Sequence, residues 1–127
     1  MIDRLVTDIE SEIDTDSPLE TYSVEIIQDK NTIETFDNSI QSDLMASTIN
    51  YLIQNHDLIS AIEPLPYIPA KKRAIINDEP TYNDRQMKQP RELEEGYYLE
   101  VNLSWSQKKR EMERLAGACG LEVTIGE

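Results

Sequence analysis

Residues 97–125 read YYLEVNLSWSQKKREMERLAGACGLEVTI. Tyr97, Leu99, Val101 and Leu103 alternate with Tyr98, Glu100 and Asn102, the two-residue period of a half-buried strand. Ser104 stands three residues ahead of Gln107, the spacing of a capping box in which each side chain covers the other residue's backbone N–H; Ser106 is an equally good cap. Met112, Leu115, Ala116 and Cys119 then recur at helical spacing, and Gly120 ends the helix because glycine enters the left-handed region without steric cost. Leu121, Val123 and Ile125 alternate again. The stretch predicts strand, helix, strand. Three cations, Lys108, Lys109 and Arg110, crowd the start of this helix, where the backbone dipole repels them.

Upstream, Tyr22, Val24 and Ile26 alternate with Ser23 and Glu25, which predicts a strand through about residue 28, followed by a polar loop. From Asn38, apolar residues at 40, 44, 45, 49, 51, 52 and 53 predict a helix, with Asn38 and Gln41 at the spacing of a second capping box. Its wide apolar arc calls for packing against more than one element. LISAIEPLPYIP starts like a strand, but Pro64, Pro66 and Pro69 remove ladder donors and confine it to an edge or extended segment. Residues 69–96 are irregular and read as a long loop or a hairpin insertion, with Arg73–Ile76 and the region of Tyr82 as candidate arms. At the start of the chain, Ile2, Leu5, Val6, Ile9 and Ile13 form the stripe of a short amphipathic helix over 1–15, which Thr15-Asp16-Ser17-Pro18 ends. Without that first helix the order is βαββαβ. The expectation is a single α+β domain of ferredoxin-like order: an antiparallel sheet with two helices on one face, an extra N-terminal helix, and a long loop between the second and third strands.

A chain of 127 residues suits one domain with a core large enough to need no staple. The single cysteine forms no internal disulfide, and the opening MIDRLVTDIE has neither a basic leader nor an apolar signal core. An intracellular, soluble protein is expected, in the cytoplasm or in a virion, with no membrane partner. The formal net charge is −13, and it is unevenly placed. Residues 1–63 hold fourteen acids against two bases, and residues 64–127 eleven acids against ten bases. Such a polyanionic first half opposes nucleic acid and suits a basic partner surface.

The inventory removes most chemistries. One histidine and one cysteine cannot build a zinc cage of the usual kinds within one chain. The acidic turn from Asp78 to Asp84 lacks the central glycine and distant glutamate of a calcium loop. The glycines, at 96, 117, 120 and 126, form no phosphate-cradling loop. Cys119 falls on an apolar stripe at a helix C-terminus, where it reads as a packing residue, and His56, in the last turn of the long helix, reads as a capping or surface histidine. No cofactor and no metal are expected. With 25 acidic residues, the sequence singles out no catalytic carboxylate, so no catalytic residue is nominated.

The cations remain. Lys108, Lys109 and Arg110, joined by Lys71, Lys72 and Arg73, form a candidate partner-binding end, and Asp8, Glu10, Glu12, Asp14 and Asp16 a candidate acidic face. The triplet is either screened, or paired with nearby acids such as Glu100, or docked on the acidic half of a neighbouring copy, a heterologous contact that generates rings or filaments. A separate basic protein partner for the acidic half is a further option. Direct binding of nucleic-acid phosphate is disfavoured by the rest of the molecule. In element order, an N-terminal helix followed by a small α+β unit with a long loop resembles the ring-forming tail-terminator and neck proteins of phages; the resemblance assigns no site residue. The expected function is a non-enzymatic protein–protein interaction or assembly component, checked by self-association that weakens with salt and with Lys108→Glu plus Lys109→Glu. The alternatives are an acidic mimic of nucleic acid that blocks a basic channel, and a small carboxylate-dependent enzyme.

Overall fold

The computed structural model describes residues 21–69, 73–82 and 85–126. The expected helix over 1–15, the acidic face from Asp8 to Asp16, and Lys71 and Lys72 lie outside the described residues. The elements run β1 (Tyr22–Gln28), β2 (Asn31–Asn38), α1 (Gln41–His56), α2 (Leu58–Ile62), β3 (Ile76–Asn77), β4 (Thr81–Tyr82), β5 (Arg85–Gln86), β6 (Pro90–Glu92), a 3-10 turn at Glu94–Gly96, β7 (Tyr98–Glu100), α3 (Trp105–Ala118) and β8 (Glu122–Gly126). The class is α+β, as expected.

The strands do not form the ferredoxin-like sheet. They make two antiparallel three-stranded sheets, β2-β1-β8 and β3-β7-β6, with β4 and β5 paired in a hairpin of their own. The strands predicted at 22–28 and 97–103, expected in one sheet, are therefore in different sheets. The physical reason is the stretch 31–38, where the sequence shows a polar loop only over 29–32 and no strand is expected. It folds back on β1 with Gln28 opposite Asn31, and so takes the edge of β1 that another strand would have used. The two turn residues, Asp29 and Lys30, both have positive φ, at 52° and 71°. That is the backbone of a tight hairpin turn whose twist matches the strands. β8 takes the other edge of β1, with Val24 opposite Ile125.

Val24 and Ile26 are fully buried beneath α1, whose Leu44, Met45, Ile49 and Leu52 are also at 0% exposure. The wide apolar arc is used as expected: α1 touches β1, β2, α2 and α3. Its cap differs from expectation. β2 continues through Asn38, so the chain needs two more residues to turn; the N-cap is Ile40, and the Asn38 Oδ1 accepts the Ile40 N–H at 2.9 Å instead of closing a box with Gln41.

After Asp57, whose left-handed φ of 57° ends α1, the buried Leu58 starts the short α2 where a strand was anticipated. Past Pro64 and Pro66 the chain does become extended. Tyr67 donates its N–H to the Ile76 carbonyl and accepts from the Ile75 N–H, both at 2.8 Å, an isolated bridge at the edge of the second sheet. The region 69–96 is not one loop but supplies β3 to β6. Its hairpin pairs Thr81 with Gln86 and Tyr82 with Arg85, and the 73–76 arm pairs with β7 instead.

Candidate functional site

Of the two possible caps, α3 uses Ser104. Its Oγ accepts the Gln107 N–H at 3.1 Å while Gln107 Oε1 accepts the Ser104 N–H at 3.0 Å. The helix therefore begins at Trp105, and Lys108, Lys109 and Arg110 fall in its second turn. The repulsion expected of them is mostly avoided, because the dipole's effect fades beyond the first turn.

The three cations also part company. Lys108 is 6% exposed and reaches back along the helix, donating from Nζ to the Leu103 carbonyl at 2.5 Å; burial holds its pKa below the usual lysine value. Lys109 lies with its ammonium 5.7 Å from the Trp105 ring centre, within cation–π range. Arg110 is exposed and turns toward a concavity. Glu100, a candidate partner for the triplet, is engaged elsewhere. At 1% exposure its carboxylate accepts the backbone N–H groups of Lys88, Gln89 and Asn102, at 2.7, 2.9 and 3.0 Å.

The concavity lies beside α3, lined also by Pro69, Arg73 and Ile75, and encloses about 320 Å³. Pro69, Ile75 and Leu103 give it an apolar floor, and Arg73, Arg110 and Arg114 bring three guanidinium groups to its rim. Among the described residues, two of the basic residues nominated from sequence meet here, Arg73 and Arg110. Arg73 is anchored by Nη1 to the Asn102 carbonyl at 2.8 Å. Arg110 makes no hydrogen bond or ion pair among the described residues.

At the back of the cleft sits Glu111, 6% exposed. It accepts the Tyr67 hydroxyl at 3.3 Å and pairs with Arg114 at 3.1 Å. Burial raises its pKa, with Arg114, Tyr67 and Arg110 pulling the other way. Tyr67 is itself pushed up to about 12, chiefly by burial and by the charge of Glu111, so it remains a donor. Sequence reasoning missed Gln107, Glu111, Arg114 and Tyr67. A signal existed for the first three: positions 107, 110, 111 and 114 share one helix face by their spacing of three, four and seven. Tyr67 comes from a distant extended segment and carries no such mark.

Chemically, three arginines and one carboxylate line the cleft beside apolar side chains, and guanidinium groups can pair with planar carboxylates. Cys119 packs against the core, with its thiol pKa raised by burial and by Asp57. The His56 ring packs against that of Tyr51, tilted by 53° with centres 5.2 Å apart, and its Nε2 lies 3.3 Å from the Tyr51 hydroxyl. No described helix is long and apolar enough to cross a membrane. The chain matches no protein-family model, no curated protein and no solved structure.

Proposed function

We propose that this chain is a non-enzymatic protein–protein interaction or assembly component, of the general kind that ring-forming phage subunits exemplify, and that its α3 cleft receives carboxylate side chains of an acidic protein surface. The observation that carries the reading is the convergence of Arg73, Arg110 and Arg114 on one apolar-floored cleft in a chain of net charge −13. Guanidinium groups read carboxylate by paired hydrogen bonds, and the apolar floor accepts the methylenes that carry it. A long nucleic acid would meet the repulsion of the whole acidic molecule, whereas a short acidic segment meets mainly the local field.

A fluorescent hexaglutamate peptide, followed by anisotropy at low salt, tests this. Saturable binding is expected, weakened at least about tenfold, or about 1.4 kcal/mol, by Arg110→Glu and strongly reduced near about 0.5 M salt. Absence of saturable binding overturns the reading, and tighter binding of an oligonucleotide reassigns the cleft to phosphate.

Binding should also depend on pH in a defined direction. Tyr67, Arg110 and Arg114 face Glu111, whose pKa burial raises. Protonating it removes a negative charge from the receptor, so affinity rises as pH falls through its raised pKa and drops again once the ligand's own carboxylates protonate. Glu111→Gln should abolish the rise while keeping the drop.

A second reading rests on the same residue. A buried carboxyl with a raised pKa inside a cleft is also how a general acid is built, so a small carboxylate-dependent enzyme is the alternative. It requires Glu111 to act on a bound substrate, and Glu111→Gln would then abolish turnover without weakening binding.

A further inference from the structure

We propose that the α3 cleft selects protein segments in which a single carboxylate stands next to an aliphatic residue: Gln107 and Arg110 hold the two carboxylate oxygens, and the aliphatic neighbour lies on Pro69, Ile75 and Leu103. The inference rests on the carboxylate-binding reading of the cleft and names the kind of acidic segment it takes.

The first observation is how little of the positive charge is available. Arg73 is tied to the Asn102 carbonyl at 2.8 Å and Arg114 to Glu111 at 3.1 Å. Arg110 has no such bond among the described residues. Glu111, which also lines the cleft, repels a second acid. A single free guanidinium beside a carboxylate matches one incoming acid and disfavours a run of them.

The second observation is Gln107. Its Oε1 accepts the Ser104 N–H at 3.0 Å, so the capping box uses up the acceptor end of the amide. What Gln107 has left for the cleft it lines is the Nε2 group, a donor only. Gln107 and Arg110 stand three residues apart on α3, which brings their Cβ atoms to about 5–6 Å and lets their donors converge. One donor group for each oxygen is what a planar carboxylate requires. The cap of the helix thereby turns an amide that could donate or accept into a fixed donor beside Arg110.

The third observation is the remaining wall. About 320 Å³ is near the lower end of the volumes of ligand pockets, room for one acidic side chain and one neighbour. Pro69, Ile75 and Leu103 offer that neighbour no polar side-chain group. A serine there gains nothing, whereas covering about half of a leucine side chain is enough for about tenfold in affinity.

The test uses the full chain and acetylated, amidated peptides followed by nitrogen–proton NMR, with hexaglutamate alongside. Gly-Ser-Leu-Glu-Leu-Ser-Gly is expected to bind about tenfold more tightly than Gly-Ser-Ser-Glu-Ser-Ser-Gly, which has the same charge, and at least about tenfold more tightly than Gly-Ser-Leu-Gln-Leu-Ser-Gly. The side-chain resonances of Gln107 and Arg110 should shift with both glutamate peptides. Gln107→Glu is the discriminating variant. Glutamate keeps the capping box and suits the helix dipole, so the denaturation midpoint is maintained or raised. The same change puts an anion in place of the donor, and binding of the leucine peptide should fall at least about tenfold. Lys30→Gln, which makes the same change in net charge at the turn between β1 and β2, should alter binding by no more than about twofold. Equal affinity for the leucine and serine peptides, or unchanged binding to Gln107→Glu, overturns the inference while leaving the receptor reading intact, provided hexaglutamate still binds and Arg110→Glu still weakens it. If neither hexaglutamate nor any peptide binds, the receptor reading fails and this inference fails with it.

Discussion

Replacing Glu100 with alanine is expected to cost about 4 kcal/mol of stability. This carboxylate is buried and accepts three backbone N–H groups, from Lys88, Gln89 and Asn102, which belong to the chain on either side of β6 and β7. Hydrogen bonds to a charged acceptor contribute roughly 1.5–3 kcal/mol each, and removing the shared acceptor strands all three donors at once. Burying the charge has its own desolvation cost, which alanine would relieve. The balance still falls on the side of loss, because the donors stay and cannot pair with one another. Glu100→Gln should recover about half: one amide oxygen can serve two of the donors, but the amide nitrogen then faces the third. Urea unfolding followed by Trp105 fluorescence measures both. A loss below about 1 kcal/mol for Glu100→Ala would mean that the second sheet does not depend on this carboxylate.

The second large effect is at Lys108. Lys108→Glu is expected to destabilise the protein by about 3 kcal/mol or more, whereas Lys108→Met should stay within about 1 kcal/mol. The ammonium already pays for desolvation, as its lowered pKa records, and regains it through its bond to the Leu103 carbonyl. Methionine removes cost and gain together. Glutamate brings an anion to the same carbonyl and leaves it unpaired in a buried position. The doubly reversed Lys108→Glu plus Lys109→Glu protein would thus report on folding rather than on partner binding, and Arg110, exposed at the cleft, is the position where charge reversal reads recognition. Equal denaturation midpoints for Lys108→Met and Lys108→Glu would remove this distinction.

These cases show what the sequence made legible. β1, β8 and the cap of α3 were readable because each follows a local rule: alternation in the strands, and a serine three residues before a glutamine at the cap. β2 was hidden by its turn. Hairpin turns with two positive φ angles usually announce themselves with Asn-Gly or Asp-Gly, and here an aspartate and a lysine take those conformations. The register shift opposite Ile26 and Ile27 also breaks the alternation that Ile33 and Phe36 would otherwise show. α2 has five residues, too few for a helical period, and its Leu-Ile-Ser-Ala-Ile composition suits a strand equally well. At the site, Arg73 and Arg110 were visible as cations, but their meeting is a contact between distant parts of the chain. The contact of Tyr67 with Glu111 spans 44 residues, and neither local period nor composition encodes such a contact.

The position of β1 between β2 and β8 sets the order in which this molecule can be made. The hairpin with β2 closes over a two-residue turn and can form early, on its own. The other edge of β1 waits for a partner 95 positions later, from Ile27 to Glu122. Until β8 arrives, the central strand has one edge unpaired. Long-range pairing of this kind slows folding, since the entropy of closing the chain is lost before the contact forms. During synthesis the first sheet is therefore completed only after β8 has emerged.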